Sequence, residues 1–378
     1  MAIILKNARV LIGKSLCAKD ILINGEFIEE IGENLAGGEV LDLCCCTIVP
    51  GFIDTHTHGG GGYDVNLSSS EDLSRLGDFF AQQGTTLWLA SVLTDTKDKT
   101  LECIENIKVA MKNKNGARLF GIHLEGPFLS REYKGAMPPQ LLKEGDLALF
   151  REYENAAEGA IKYMTVAPEV KNVLPLIKEL AGKINIGIGH SDADFDTAME
   201  AIAQGACVAT HTFNAMRPLH HHEIGIAGAA LVSDIWCEAI GDGLHLSPAT
   251  IKLMLKTKGF DRVVVITDSI MAAGLADGDY KLGVNDVVVK NGDARLKVGN
   301  ARAGSTLTMA KALKNLVEFT GEPLEKVACL VTENPAKELG IFHNRGSIAK
   351  GKYADFAVLG SDLAVVMTIR EGRIDFQK

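Results

Sequence analysis

Between residues 49 and 345, short apolar runs alternate with amphipathic stretches of helical period, and that alternation predicts a parallel sheet covered by helices. The predicted strands are Thr47–Ile53, Thr86–Ala90, Arg118–Ile122, Tyr163–Val166, Asn185–Ile188, Cys207–Thr210, Trp236–Ile240 and Val263–Thr267. Helices are predicted over Ser70–Gln83, Asp98–Asn113, Val170–Leu180, Phe195–Gln204, Ser247–Thr257 and Thr308–Phe319. Eight strands of this kind are the number of a (β/α)8 TIM-like barrel, which forms one unit of about 250 residues.

The two ends of the chain have a different texture. Residues 1–48 read as short strands with tight turns, including Asn24-Gly25 between Asp20–Ile23 and Phe27–Ile31, and residues 346–378 read the same way. Two β-rich ends flanking an α/β middle predict one small β-sandwich domain built from both termini, beside a barrel domain spanning 49–345.

Composition excludes several classes of function. Hydrophobic residues at 47% and charged residues at 23% supply a sizeable core and argue against disorder. A formal charge of −9 provides no basic surface for nucleic acid or an anionic membrane, so neither is expected as a partner. No apolar run approaches the roughly 18 residues of a membrane span, and Lys6, Asn7 and Arg9 interrupt any signal-peptide core, so a cytoplasmic location is expected. The eight cysteines show neither Cys-x-x-Cys pairs nor a spaced disulfide framework and read as reduced. The triplet Cys44-Cys45-Cys46 reads as a buried strand of small side chains.

In a barrel of this class, chemistry collects where the strands end. Six of the eight predicted strands are followed by His, Asp or Glu: His56 and His58, His123 and Glu125, His190, His211, Asp242 and His245, and Asp268. Residues two apart on a strand face the same way, so His56 and His58 project together, with Cα atoms about 6.5 Å apart. Alone, the pair would also fit a half-exposed strand edge, and Asp268 or Asp242 alone would fit a turn or a helix cap. Together, four imidazoles with the carboxylates Glu125 and Asp268 match the needs of one or two divalent ions in a hydrolytic centre: nitrogen ligands, a bridging carboxylate and an open position. Zinc is the first expectation, with iron, cobalt or manganese as other occupants.

The motifs, in order, are His56-Thr57-His58, Gly121-Ile122-His123-Leu124-Glu125-Gly126-Pro127-Phe128, Gly189-His190-Ser191-Asp192-Ala193, Thr210-His211-Thr212-Phe213-Asn214-Ala215-Met216, Asp242-Gly243-Leu244-His245 and Thr267-Asp268-Ser269. With them the chain resembles the amidohydrolase superfamily, and within it the N-acetylglucosamine-6-phosphate deacetylases, over nearly its whole length. The resemblance implies a metal-dependent hydrolase that releases acetate from an N-acetylated amino-sugar phosphate in amino-sugar catabolism, working as a homodimer. It implies that Glu125, His190 and His211 hold the main metal, that His56 and His58 support a second ion, and that Asp268 is the catalytic acid/base. It further implies substrate contacts at Ala136, Asn214, Ala215, His245, Ala303 and Gly304.

Two departures bear on the substrate. The family's Arg-Glu-Pro-Gly after Asn-Ala-Met is here His222-Glu223-Ile224-Gly225, which puts His222 where an arginine would hold phosphate. An imidazole is mostly neutral at pH 7, whereas guanidinium is a permanent fork; Arg217, Lys134 or Arg131, or a neighbouring subunit, could supply the replacement cation. Met137 stands where a polar residue is usual, and a thioether does not polarise a carbonyl. These departures keep open N-acetylgalactosamine 6-phosphate or an unphosphorylated sugar as substrate, and even the acyl group, but not the hydrolytic class; a non-catalytic sugar-binding protein is the remote alternative, opposed by the filled ligand and acid/base positions.

Overall fold

The structure is a computed structural model and describes residues 2–378. Eight strands form one sheet in strict chain order: β1 (Phe52–Thr57), β2 (Thr85–Leu93), β3 (Arg118–Glu125), β4 (Ile161–Val166), β5 (Asn185–Ile188), β6 (Val208–Ala209), β7 (Trp236–Ile240) and β8 (Val263–Ile266). Each neighbouring pair is parallel. The last strand meets the first at their C-terminal ends. There the Asp268 amide donates to the His56 carbonyl at 2.9 Å, and the His58 amide donates to the Ser269 carbonyl at 2.8 Å. The Thr267 hydroxyl donates to the Asp54 carboxylate at 2.6 Å. Closure of the barrel therefore sets Asp268 beside the His56 and His58 pair.

Strands covered on both faces are near-continuous apolar runs, as Val263-Val264-Val265-Ile266 shows. The helices explain their own placement. Ser70–Gln82 starts with a capping box between Ser69 and Asp72 and buries Leu73, Leu76 and Phe80 on one face. Those side chains join Trp88, Ile104 and Leu119 in the main core between sheet and helices.

The terminal segments build two further sheets. One has the order Phe27–Gly32, Asp20–Asn24, Ile3–Lys6, Glu39–Asp42; the other runs Arg373–Gln377, Val365–Arg370, Phe356–Leu359, Thr47–Pro50, Arg9–Ile12, Ser15–Ala18. Leu5, Ile21, Ile23, Ile48, Phe356, Val358 and Ile369 share one buried cluster that joins the two sheets. Among the described residues, no helix is long and apolar enough to cross a membrane.

The sequence reading does not include the helices Leu147–Ala157 and Glu333–Glu338, and four further local differences bear on the argument. The run Thr47–Ile53 is two strands: Thr47–Pro50 pairs with Phe356–Leu359, and the chain changes sheets at Gly51 before β1 begins. A Cβ at Gly51 would lie 2.2 Å from the Thr86 hydroxyl, so the close crossing requires glycine. The Cys44 to Cys46 triplet is no buried strand. Cys44 and Cys45 are exposed in a turn, Cys45 has φ 66°, and Asp42 accepts the Cys44 amide at 3.0 Å. The helix Gly225–Val232 escaped a periodicity reading because nearly every side chain in it is buried, leaving no polar face.

The fourth difference matters most for the site. After β8 the chain inserts three antiparallel strands, Gly278–Leu282, Asn285–Lys290 and Asp293–Leu296. Asn291 and Gly292 both have positive φ, 51° and 75°, at the second hairpin turn, so Asn-Gly was the available signal.

Candidate metal centre

Four imidazoles and one carboxylate converge at the C-terminal ends of the barrel strands. His56 and His58 come from β1 and its end, Glu125 from the last residue of β3, and His190 and His211 from the loops after β5 and β6. Nε2 of His190 and of His211 each lie 3.2 Å from Glu125 Oε1, and 3.0 Å from one another. On the other side, His56 Nε2 is 3.3 Å from Glu125 Oε1 and His58 Nε2 is 3.2 Å from Glu125 Oε2. The two triads, His56/His58/Glu125 and Glu125/His190/His211, thus share the Glu125 carboxylate. All five side chains are buried.

Outer hydrogen bonds fix the ring orientations. His58 Nδ1 donates to the Ser91 carbonyl at 3.0 Å, and His190 Nδ1 donates to the Tyr133 carbonyl at 2.9 Å. A carbonyl only accepts, so the proton sits on Nδ1 and the Nε2 lone pair faces the centre. His56 Nδ1 donates to Glu238 Oε2 at 3.1 Å, and the same oxygen accepts the His211 amide at 2.9 Å. Glu238, fully buried on β7, is a supporting residue that sequence reading missed. It lies mid-strand, whereas the candidate ligands were sought just past the strand ends.

The donor set fits a divalent metal. Nitrogen lone pairs 3.0–3.3 Å apart repel unless a cation lies between them. That spacing is close to the edge of a tetrahedron with bonds of about 2.0–2.1 Å, roughly 3.3 Å. Imidazole and carboxylate ligands suit borderline divalent ions. Without a metal, the same field attracts protons. Burial pushes His58 down, but Glu125 and Asp268 raise it to about 9. Burial likewise opposes charge on His56, and Glu238, Asp268 and Glu125 hold it well above the usual histidine value.

Asp268 lies just past β8 with φ 47°, its Oδ1 3.2 Å from His58 Nε2 and 3.6 Å from His56 Nε2. Burial pushes its pKa up, but His56 and His58 outweigh that and leave it below the ordinary carboxylate value. It is therefore ionised at neutral pH and able to accept a proton. Backbone contacts lock its segment: the Ser305 amide donates to the Asp268 carbonyl at 2.7 Å, and the Ser305 hydroxyl donates to the Thr267 carbonyl at 2.6 Å.

These groups open into a cleft of about 440 Å³. Of the residues expected to contact substrate, Ala136, Asn214, Ala215, His245 and Gly304 line it. His245 Nδ1 donates to Asp242 at 2.7 Å, which orients the ring, and the Asn214 amide donates to the His211 carbonyl at 3.1 Å. Ala303 does not line it: its side chain packs with Ile270, Leu282 and Val287 in the core of the insert. His222 is not brought there either. It is exposed in a separate depression with Asp194, Asp196 and Glu223. Arg217 is paired with Asp192 at 2.8 Å, and neither it nor Lys134 nor Arg131 lines the cleft. What the structure adds are Glu132, Tyr133, Leu282, Arg295 and Arg302.

Comparison with known proteins gives concordant results. The family described as "Amidohydrolase family" matches residues 47–374. The N-acetylglucosamine-6-phosphate deacetylase of Bacillus subtilis is 39% identical over 335 residues, covering 87% of this chain and 84% of that protein. The N-acetylgalactosamine-6-phosphate deacetylase of Escherichia coli O157:H7 is 33% identical over 330 residues, 86% of this chain and 87% of that one. Among solved structures, N-acetylglucosamine-6-phosphate deacetylase from Pasteurella multocida superposes with a TM-score of 0.94 at 29% identity, covering 99% of both chains. With its barrel, its shared-carboxylate histidine centre and this match over most of its length, the chain belongs to the amidohydrolase family.

Proposed function

We propose that this chain is a metal-dependent deacetylase that converts N-acetyl-D-glucosamine 6-phosphate to D-glucosamine 6-phosphate and acetate. The observation that carries the reading is the convergence of His56, His58, His190, His211 and Glu125 beside an ionised Asp268 at the floor of one cleft. Glu125, His190 and His211 would hold the main divalent ion, with His56 and His58 sharing Glu125 for a second; zinc is the expected occupant. A divalent ion bound there supplies Lewis acidity and lowers the pKa of a bound water toward about 7.

The chain's own residues do the rest. Asp268 accepts the proton of the water that attacks the acetyl carbonyl, then delivers it to the sugar nitrogen, because an amine does not depart as an anion. Asn214 and His245 offer the polar contacts that orient the sugar, while buried Met137 supplies apolar wall. The glucosamine epimer is favoured because the relative at 39% identity carries that name, against 33% for the galactosamine enzyme. We also propose that the enzyme is a cytoplasmic homodimer whose termini, 1–48 and 346–378, form a scaffold domain for the 49–345 barrel.

Acetate release from the phosphorylated and unphosphorylated glucosamine and galactosamine sugars tests the substrate. Asp268→Asn tests the mechanism: metal content should hold while kcat falls by about 10²–10⁴-fold. Near-normal turnover would remove Asp268 from the reaction.

A further inference from the structure

A sugar phosphate needs a cation at the end of the cleft away from the reacting amide, and the histidine that occupies the family's arginine position lies elsewhere. Among the described residues, the cleft's lining contains two permanently charged cations, Arg295 and Arg302, both carried by the three-stranded insert and the segment that returns from it. We propose that Arg302, with Arg295 beside it, is the anchor for the substrate's phosphate, so that the insert rather than the His222 loop confers selectivity for phosphorylated sugars. This rests on the deacetylase reading above.

The two arginines are built as a unit. Their backbones form an antiparallel bridge, and Asp293 clamps both: Arg302 donates Nε at 2.8 Å to Oδ1 and Nη2 at 3.3 Å to Oδ2, while Arg295 donates Nε at 2.9 Å to Oδ2. Arg295 Nη1 donates to the Asn300 carbonyl at 3.1 Å. Burial pushes the Asp293 carboxyl up, but the two guanidiniums outweigh it and hold it below the ordinary value. Two arginines and one aspartate leave the frame itself one net positive charge, with the Asp242 carboxylate also acting on Arg302. Among the described residues, Arg302 Nη1 and Arg295 Nη2 make no hydrogen bond, which leaves a pair of forked donors free on a pre-ordered frame. Both side chains are about one-third exposed, at 36% and 34%, so an anion reaches them from the cleft. Apart from the metal-facing Glu125 and Asp268, the lining holds one carboxylate, the exposed Glu132.

The chain couples this anchor to the catalytic acid. Arg302 precedes Gly304 and Ser305, and the Ser305 amide is bonded to the Asp268 carbonyl at 2.7 Å. A phosphate gripped by Arg302 is thus held by the same short segment that fixes Asp268. Binding energy from the unreactive end of the sugar then orients the acetamido group at the reacting end.

The test compares kcat/KM for N-acetylglucosamine 6-phosphate with that for N-acetylglucosamine, in metal-loaded wild type, Arg302→Ala, Arg302→Lys and Arg295→Ala. The ratio of the two values within one preparation does not depend on the fraction of correctly folded enzyme. Wild type should prefer the phosphate ester; Arg302→Ala should lower that preference by about 10- to 100-fold, and Arg302→Lys should restore part of it. Inorganic phosphate should inhibit wild type competitively and Arg302→Ala more weakly. A preference within twofold of wild type in Arg302→Ala, or one lost in His222→Ala instead, would overturn the anchor while leaving deacetylation intact. No acetate from any of the four sugars would instead overturn the deacetylase reading, and the anchor with it.

Discussion

Glu238→Gln tests what the buried carboxylate contributes to metal binding and to the metal-free fold. In the wild type, Oε2 accepts from His56 Nδ1 at 3.1 Å and from the His211 amide at 2.9 Å, while Oε1 has no partner among the described residues. A glutamine that places its oxygen at the Oε2 position keeps both bonds but makes them neutral. Charge-assisted bonds are worth about 1.5–3 kcal/mol and neutral ones about 0.5–1.5, so the loss is about 1 kcal/mol per bond. Both bonds orient metal-facing histidines, so about 2 kcal/mol comes off the metal affinity, or roughly 30-fold at about 1.4 kcal/mol per decade. The metal-free fold responds through the groups that face the same carboxylate. Glu338, also buried, has its carboxyl pushed well above the usual range, by burial first and then by the charge on Glu238. A carboxyl held that far up is neutral at pH 7 and leaves little repulsion to relieve, whereas the substitution removes the charged partner that holds His56 protonated in the metal-free protein, which should therefore melt at a lower temperature. Competition with a chelator of known affinity measures the first quantity and calorimetry of the metal-free protein the second. Unchanged metal affinity, or a metal-free protein that melts at or above the wild-type temperature, would refute the reasoning.

Other perturbations probe the frame around the site. At Gly304, with φ 59°, a Cβ would lie 2.6 Å from Ile270 Cγ2 and 2.8 Å from the Asp268 carbonyl, so Gly304→Ala should cost about 2–4 kcal/mol and displace the Asp268 segment. Thermal melting and kcat should fall together; loss of neither would show that the segment yields freely. Asp54 is buried and its pKa is raised from 3.8 to about 6, burial outweighing its bonds to Thr267. A carboxyl whose folded pKa is raised favours its neutral form in the fold, so its contribution is fully present below pH 4 and is lost as pH rises to about 6. In the metal-free protein, Asp54→Asn should therefore gain stability relative to wild type between pH 4 and 7, by on the order of 2–3 kcal/mol, read by denaturant unfolding at the two pH values. A pH-independent difference would place the Asp54 ionisation elsewhere.

Local pattern determined a great deal. Periodicity two along the strands and 3.6 along the helices is written in neighbouring residues, which is why seven of the barrel strands were legible to within a few residues. The ligand-type residues could be read for the same reason: each sits one to three positions past, or at the end of, an apolar run. Tertiary structure decided what depends on distant partners. It split Thr47–Pro50 from β1, because the first pairs with a strand more than 300 residues later and the second with its barrel neighbour. It drew Glu238, a mid-strand residue with no local signature, beneath His56 and His211. It also carried His222 away from the cleft and brought Arg295 and Arg302 to it, since the direction of a loop is fixed by what it packs against. Chemistry at strand ends is a local property of this sequence; that Arg295 and Arg302 line the cleft follows from the tertiary packing of the insert against residues such as Leu93 and Met137.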